Sequence, residues 1–310
     1  MRILVVGAGA TGGYFGARLA QAGRDVTFLV RPRRADQLAE RGLRVRGPDG
    51  HDDRIDVNTV VKDRLADPFD IVLLAVKAYA LDGAISDFTP AVGPATTIVP
   101  FLNGIGHIGR LTEAFGARRV YGGVCYVAST LTDDGDIVWL GGAQELRYGP
   151  LANGSGAGEH AAHVHDALAG AGFPAELSDT IETDMWEKWI FLASVTAVTC
   201  LARGTVGDVN AVEGGREFAT AVTEEGNRVA VAAGFAPRAA ATRRLLDTVT
   251  QPGAATTSSV FRDLRQGRPL ENDAIITDLV RRARALDVAT PLLDATDVNL
   301  AVYQRARSAT

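Results

Sequence analysis

Cysteine is scarce in these 310 residues, with Cys125 and Cys200 the only two. Their separation excludes a disulfide scaffold, a C-x-x-C redox pair and a cysteine-based zinc site. Lysine is also rare. Lys and Arg together number 32, yet the lysines are only Lys62, Lys77 and Lys188. Arginine carries plain positive charge throughout, so each surviving lysine draws attention. An ammonium can release its proton near neutrality, and a guanidinium cannot. Long apolar runs are missing too. The longest strongly apolar stretch without charge, Trp189 to Ala202, is shorter than a usual membrane span. The opening run Ile3 to Val6 ends in Gly7 and carries no cleavage site, so no signal peptide is expected. No H-E-x-x-H or G-x-S-x-G pattern occurs, and His160, His163 and His165 lack metal-binding spacing, so no metal site and no serine-hydrolase elbow are expected. A net charge of −5 argues against a broad nucleic-acid-binding face. The remaining composition, 46% hydrophobic and 22% charged, is that of a globular protein. The expectation is a soluble cytoplasmic chain with two cores.

The first half alternates between strand and helix patterns. Arg2 to Val6, Asp25 to Val30, Asp70 to Val76 and Thr97 to Leu102 are short apolar runs, and Thr11 to Ala22 reads as a helix closed by Gly23. Continuous rather than alternating runs suit a parallel sheet covered on both faces. Leu43 to Val45 and Arg54 to Val57 flank a turn at Gly47-Pro48-Asp49-Gly50 and predict a hairpin. Val124 to Leu131, Asp136 to Leu140 and Gln144 to Tyr148 predict a meander added to the sheet. A connector at Leu151 to Gly158, a helix from Glu159 to Ala169 and a last strand at Pro174 to Leu177 follow. Beyond Thr180 only helical spacing appears, through Glu213–Ala233, Ala239–Val249, Ser258–Leu264, Leu270–Leu286 and Leu292–Ala306. The predicted fold class is α/β, a doubly wound Rossmann-type sheet over residues 1–180 followed by an all-helical domain over 181–310.

Gly7-Ala8-Gly9-Ala10-Thr11-Gly12 fits G-x-G-x-x-G. Glycine is frequent here, so context carries the reading: a strand ends at Val6 and a helix starts near Thr11. Gly7 permits the tight turn, Gly9 admits a pyrophosphate, Gly12 lets helix and strand approach, and the helix N-terminus offers its N–H groups. The second strand ends in Arg31-Pro32-Arg33-Arg34, where a site for NAD would place a carboxylate. A guanidinium there suits the 2′-phosphate of NADP, with Arg31 the main contact and Arg33 and Arg34 weaker candidates. The alternative is a solvated basic loop. Lys77 and Asn103-Gly104 each follow an apolar strand at the ligand-binding end of such a sheet, or are a surface charge and an ordinary turn. Lys188 heads the apolar stretch from Trp189. It either snorkels to water or is partly desolvated, and a desolvated ammonium gives up its proton more readily. Glu271, after Gly267-x-Pro269, suits the first turn of a helix.

In this order and spacing, Gly7-x-Gly9-Ala10-x-Gly12, Val30-Arg31, Val76-Lys77-Ala78, Asn103-Gly104, Trp186-x-Lys188, and Ser258-Ser259 through Asp263 to Glu271 resemble the ketopantoate reductase family over nearly the whole chain. The resemblance implies a Rossmann domain and a helical domain with the active site in the cleft between them. It implies NADPH-dependent reduction of a 2-keto acid to a 2-hydroxy acid in pantothenate synthesis. Residue by residue, Gly7, Ala8, Gly9, Ala10, Thr11 and Gly12 would hold the pyrophosphate and Arg31 the 2′-phosphate. Lys77 and Asn103 would line the cofactor–substrate crevice. Lys188 matches the catalytic lysine. Ser259 and Glu271 match positions for the substrate carboxylate and hydroxyl, with Glu271 also placed to orient the lysine.

One departure stands out. Family members acting on ketopantoate usually carry Asn one helical turn after the lysine and again one turn beyond, where this chain has Leu192 and Thr196. A leucine cannot hydrogen-bond, so a contact worth about 1 kcal/mol or more is lost there. The expected function is reduction of ketopantoate to pantoate. The alternatives are the same hydride chemistry on a less polar ketone, or a non-catalytic NADP sensor, against which Lys188 and Glu271 argue. The expected partner is a small keto acid, with neither nucleic acid nor membrane, and a homodimer stays open.

Overall fold

The computed structural model describes residues 1–154 and 160–308. The chain divides into two compact units, one of Met1–Leu102 and His107–Ile181, the other of Asn103–Gly106 and Glu182–Thr310. The first runs β1 (Arg2–Val6), α1 (Ala10–Gln21), β2 (Asp25–Leu29), α2 (Pro32–Arg41), β3 (Leu43–Arg46), β4 (Asp52–Ile55), β5 (Asn58–Val60) and β6 (Phe69–Leu74). It continues with α3 (Leu81–Phe88), β7 (Val92–Pro100), α4 (Gly106–Phe115), β8 (Tyr121–Leu131), β9 (Ile137–Pro150), α5 (Ala161–Leu168) and β10 (Ala175–Leu177).

A five-stranded sheet has the order β5-β2-β1-β6-β7, every neighbour pair parallel. Its central strands are apolar on both faces. Ile3, Leu4, Val5, Ile71, Val72, Leu73 and Leu74 are fully buried, each such side chain stabilising the fold by roughly 1.5–3 kcal/mol. The strand order reverses between β1 and β6, the switch point at which sheets of this kind take ligands.

The sequence places the meander on this sheet, and the structure corrects that. β8 and β9 form a second sheet with the β3–β4 hairpin and β10, in the order β10-β9-β3-β4, with β8 on β9. The two expected strands Asp136–Leu140 and Gln144–Tyr148 are one strand, β9. A register shift opposite Val127–Ser129 absorbs the extra residues, where Gly141 and Gly142 take positive φ. The basic segment after Arg31 is no loop. Pro32 starts α2 at a position where its missing N–H costs nothing. Residues 155–158 of the expected connector and Glu159 of the expected helix lie outside the described residues, and α5 begins at Ala161.

The second unit contains α6 (Ile181–Ala202), α7 (Val206–Asn210), α8 (Gly215–Ala232), α9 (Ala239–Val249), α10 (Ser259–Arg265), α11 (Asp278–Ala285) and α12 (Pro291–Ser308), with no strand among its described residues. The spacing over Leu270–Leu286 predicts one α-helix. Instead Asp273–Thr277 is a turn of π-helix leading into α11. From Trp189 onward helix α6 is free of charged side chains, and it sits at the centre of a core with α8, α10 and α12 residues. With its full 22 residues it is long and apolar enough to cross a membrane, and 78% of its most apolar window is buried within the protein.

Candidate active site

The glycine turn lies between β1 and α1. Gly7 has φ of +101°, and its N–H donates to the Leu29 carbonyl of β2 at 3.1 Å. A Cβ built at Gly12 would stand 2.2 Å from the Gly7 carbonyl oxygen and 2.7 Å from Ala75 Cβ. The turn therefore closes only without a side chain there. At Gly9 a Cβ would meet nothing within 4 Å. Gly9 is the N-cap of α1 and supplies no side-chain cap, so the first amides of this helix are left for an outside acceptor. An open approach at Gly9 beside a side-chain-free turn fits a pyrophosphate.

The ends of β2 and β6 flank this turn. The Ala75 N–H donates to the Val6 carbonyl at 3.0 Å, and a Cβ at Gly7 would lie 3.5 Å from Val76 Cγ1. Lys77 comes next. It is exposed and caps a short 3₁₀ turn at Ala78–Ala80. On the other side, Arg31 is the exposed N-cap of α2, and Arg33 is exposed beside it. Arg34 behaves differently. It donates to the Ala8 carbonyl at 3.2 Å, to the Gly135 carbonyl at 2.9 Å and to Gln37 Oε1 at 2.6 Å. Burial lowers its pKa from the usual guanidinium value, with Asp136 opposing and Arg41 adding to the effect. Arg34 is thus spent on bracing the glycine turn to the β8–β9 turn. No local pattern marks it, because Gly135 lies 101 residues away.

In the helical unit, Lys188 is only 7% exposed. The residues around it on α6 are fixed. Trp186 stacks on Phe235 with ring centres 5.7 Å apart, and Trp189 Nε1 donates to the Ile275 carbonyl at 2.9 Å. Ile275 belongs to the π turn that follows Glu271. The same turn receives the Asn103–Gly106 segment: a Cβ at Gly104 (φ +72°) would stand 2.2 Å from the Ala274 carbonyl oxygen. The π turn therefore gathers the stretches that carry Lys188, Asn103 and Glu271, and such turns recur at functional sites. Asn272, beside Glu271, is 2% exposed, and its Oδ1 has no partner among the described residues.

Leu192 is partly exposed, whereas Thr196 is 1% exposed and closed off. Ser259 starts α10. Ser258 caps that helix by accepting from the Phe261 N–H at 3.0 Å, and its hydroxyl lies 3.2 Å from Thr199 Oγ1 of α6. Among the described residues no group of His, Cys, Asp and Glu could hold a metal ion.

Residues 3–153 match the family model described as ketopantoate reductase PanE/ApbA, and residues 180–303 match its C-terminal model. An uncharacterized oxidoreductase YkpB of Bacillus subtilis (strain 168) is 33% identical over 98% of this chain and 99% of its own. A 2-dehydropantoate 2-reductase of Mesorhizobium japonicum is 28% identical over 95% of each chain. The fold matches D-mandelate dehydrogenase solved with NADH and anilino(oxo)acetate, with a TM-score of 0.87 and 21% identity, over 99% of this chain and 100% of that one.

Proposed function

Because this chain belongs to the PanE/ApbA ketopantoate reductase family, and is an oxidoreductase on that account, we propose that it reduces a 2-keto acid to the 2-hydroxy acid with NADPH. The first candidate pair is 2-dehydropantoate and pantoate, the chemistry named for the Mesorhizobium relative. The family acts on small keto acids with a nicotinamide cofactor. The observation that carries the reading is Lys188, an ammonium only 7% exposed at the head of the apolar stretch of α6.

Bound NADPH supplies a hydride to the substrate carbonyl carbon. The residues of the turn, Gly7, Ala8, Gly9, Ala10, Thr11 and Gly12, hold the pyrophosphate on the α1 amides, and Arg31 pairs with the 2′-phosphate. Lys188 stabilises the negative charge that grows on the carbonyl oxygen and then donates a proton to it from Nζ. Glu271 binds a substrate hydroxyl or orients the ammonium. Asn103 and Lys77 position substrate and nicotinamide, and Ser259 takes the substrate carboxylate. In this division residues 1–180 bind the nucleotide, with Asn103 and Lys77 reaching the substrate, and residues 181–310 supply the remaining substrate contacts and the proton.

A second reading, the same reaction on a less polar keto acid, is favoured by one observation. The partly exposed position one turn beyond Lys188 is Leu192, and Thr196 is closed off. The test is NADPH oxidation by the purified protein with 2-dehydropantoate and with 2-keto acids bearing aliphatic or aromatic side chains. A preference for 2-dehydropantoate supports the first reading, and a preference for an apolar keto acid the second. NADPH binding without turnover of any carbonyl would defeat both. Lys188→Ala should lower kcat by about 10²-fold or more while leaving NADPH affinity nearly intact.

A further inference from the structure

Helix α6 buries two carboxylates in the turn that holds Lys188. The side chains of Asp184 and Glu187 are 4% and 6% exposed, and both are engaged by one arginine from outside the helix. Arg238 donates from its backbone N–H to Glu187 Oε1 at 2.7 Å, from Nε to the same oxygen at 2.8 Å, and from Nη2 to Oε2 at 2.5 Å. The same Nη2 also donates to Asp184 Oδ1. Arg238 is itself the N-cap of α9. The short connector it closes also carries Phe235, the residue stacked on Trp186. Thus residues 184, 186, 187 and 189 are each tied by a named contact to a neighbouring segment, and Lys188 stands among them.

Stability alone does not account for this arrangement. Taking two carboxylates out of water costs several kcal/mol each, and apolar side chains of similar volume commonly hold a helix as well. What the charged set adds is directional geometry and a charge balance: Asp184 and Glu187 against Arg238 and Lys188. Asp184 lies four residues before Lys188, on the same helix face, in the orientation that favours an acid–base pair. With Arg238 gone, the charge of Asp184 would bear more strongly on Lys188, four residues along the same face.

We propose that Arg238 is a positioning residue for Lys188: by engaging Asp184 and Glu187 it fixes the helical turn and keeps the ammonium directed at the substrate. The inference rests on the reading of Lys188 as the proton donor.

The experiment uses the full chain, NADPH, and the keto acid that the unaltered protein reduces fastest. Folded sites are counted by NADPH binding. Misplacing a catalytic group by about 1 Å costs about 10²-fold in rate, so Arg238→Gln should lower kcat per NADPH-binding site by about 10- to 100-fold. The KM for NADPH should change little. Arg238→Lys should recover part of the loss. Adding Asp184→Asn to Arg238→Gln should raise kcat again, because the competing carboxylate is gone. Undiminished kcat in Arg238→Gln, or no gain from the second substitution, would overturn the proposal. Should Arg238→Gln fail to fold, Glu187→Gln keeps the side-chain volume and must still lower kcat; an unchanged kcat there is equally fatal. Lys188→Ala separates the two ideas. Full activity in that variant removes the proton donor itself, whereas an inactive Lys188→Ala beside a fully active Arg238→Gln removes only the positioning role.

Discussion

At the glycine turn side chains are withheld, and at the Lys188 turn of α6 they are crowded in. Residues 7–12 form a turn shaped chiefly by its own backbone and braced by Arg34 at the Ala8 carbonyl, with open space at Gly9 and none at Gly12. Residues 184–189 form the opposite, a segment whose backbone is an ordinary helix and whose meaning lies in what Asp184, Trp186, Glu187 and Trp189 touch. The difference teaches what each can tolerate. The first should be intolerant of a single methyl group at Gly12. The second should be sensitive to the loss of any one of these partners.

The sharpest way to break this comparison is at Gly9 and Gly12. Gly9 has φ of −86°, which any residue accepts, so Gly9→Val should cost only about 1 kcal/mol of stability, the usual loss at an N-cap. It should weaken NADPH and NADH alike by about 10²-fold, since charged hydrogen bonds of about 1.5–3 kcal/mol each are pushed out of reach. Gly12→Ala should act the other way round, destabilising the fold by about 1–3 kcal/mol through overpacking. Fluorescence titration with both nucleotides and thermal unfolding check the pair. A Gly9→Val protein that binds normally would show that the turn is not the phosphate site.

This contrast also governs what could be read in advance. The glycine turn was legible because its determinants are adjacent: a strand end, three glycines and a helix start within a dozen residues. The strands β1, β2 and β6 were legible for the same reason, as short apolar runs bounded by turns. The second sheet was not. The pairing of Val45 with Ile137 joins strands about ninety residues apart, and no periodicity announces a partner (long-range pairing is a tertiary choice). The π turn was hidden because one extra residue in a helical turn leaves the spacing of apolar residues nearly intact. Of the candidate site, Lys188 stood out as a charge heading an apolar stretch, whereas Arg238 lies 51 residues from Glu187 and carries no local mark. Sequence groups Arg34 with Arg31 and Arg33, and only packing separates it from them.

That separation yields a smaller effect. Arg31 is exposed at the N-cap of α2, while Arg34 is engaged with Ala8 and Gly135. Arg31→Asp should weaken NADPH by about tenfold or more and NADH only slightly, because a bidentate pair with the 2′-phosphate becomes a repulsion. Equal weakening of both nucleotides would remove Arg31 from that role. It would move attention to Arg33, its exposed neighbour.

The smallest effect concerns a part of α6 that the proposed chemistry does not use. Cys200 lies about three turns beyond Lys188 and is fully buried. Burial pushes its thiol from 9.0 up to about 11, with hydrogen bonds from Ser258 and Thr199 pulling the other way. The folded protein therefore holds this proton more tightly than the unfolded chain. The resulting stability is fully present below pH 9 and is lost as pH rises toward about 11, a difference on the order of 2 kcal/mol. Tyr121, in the other unit, is also raised by burial, to about 12, so alkaline unfolding has a contribution from each core. Urea unfolding at pH 8.5 and pH 11, followed through Trp186 and Trp189 in a Trp139→Phe background, isolates the helical unit. The parent should lose about 2 kcal/mol more between these conditions than Cys200→Ala. Equal losses would mean that the thiol titrates near its ordinary value, and that the far end of α6 opens to water more readily than the tightly held turn at Lys188.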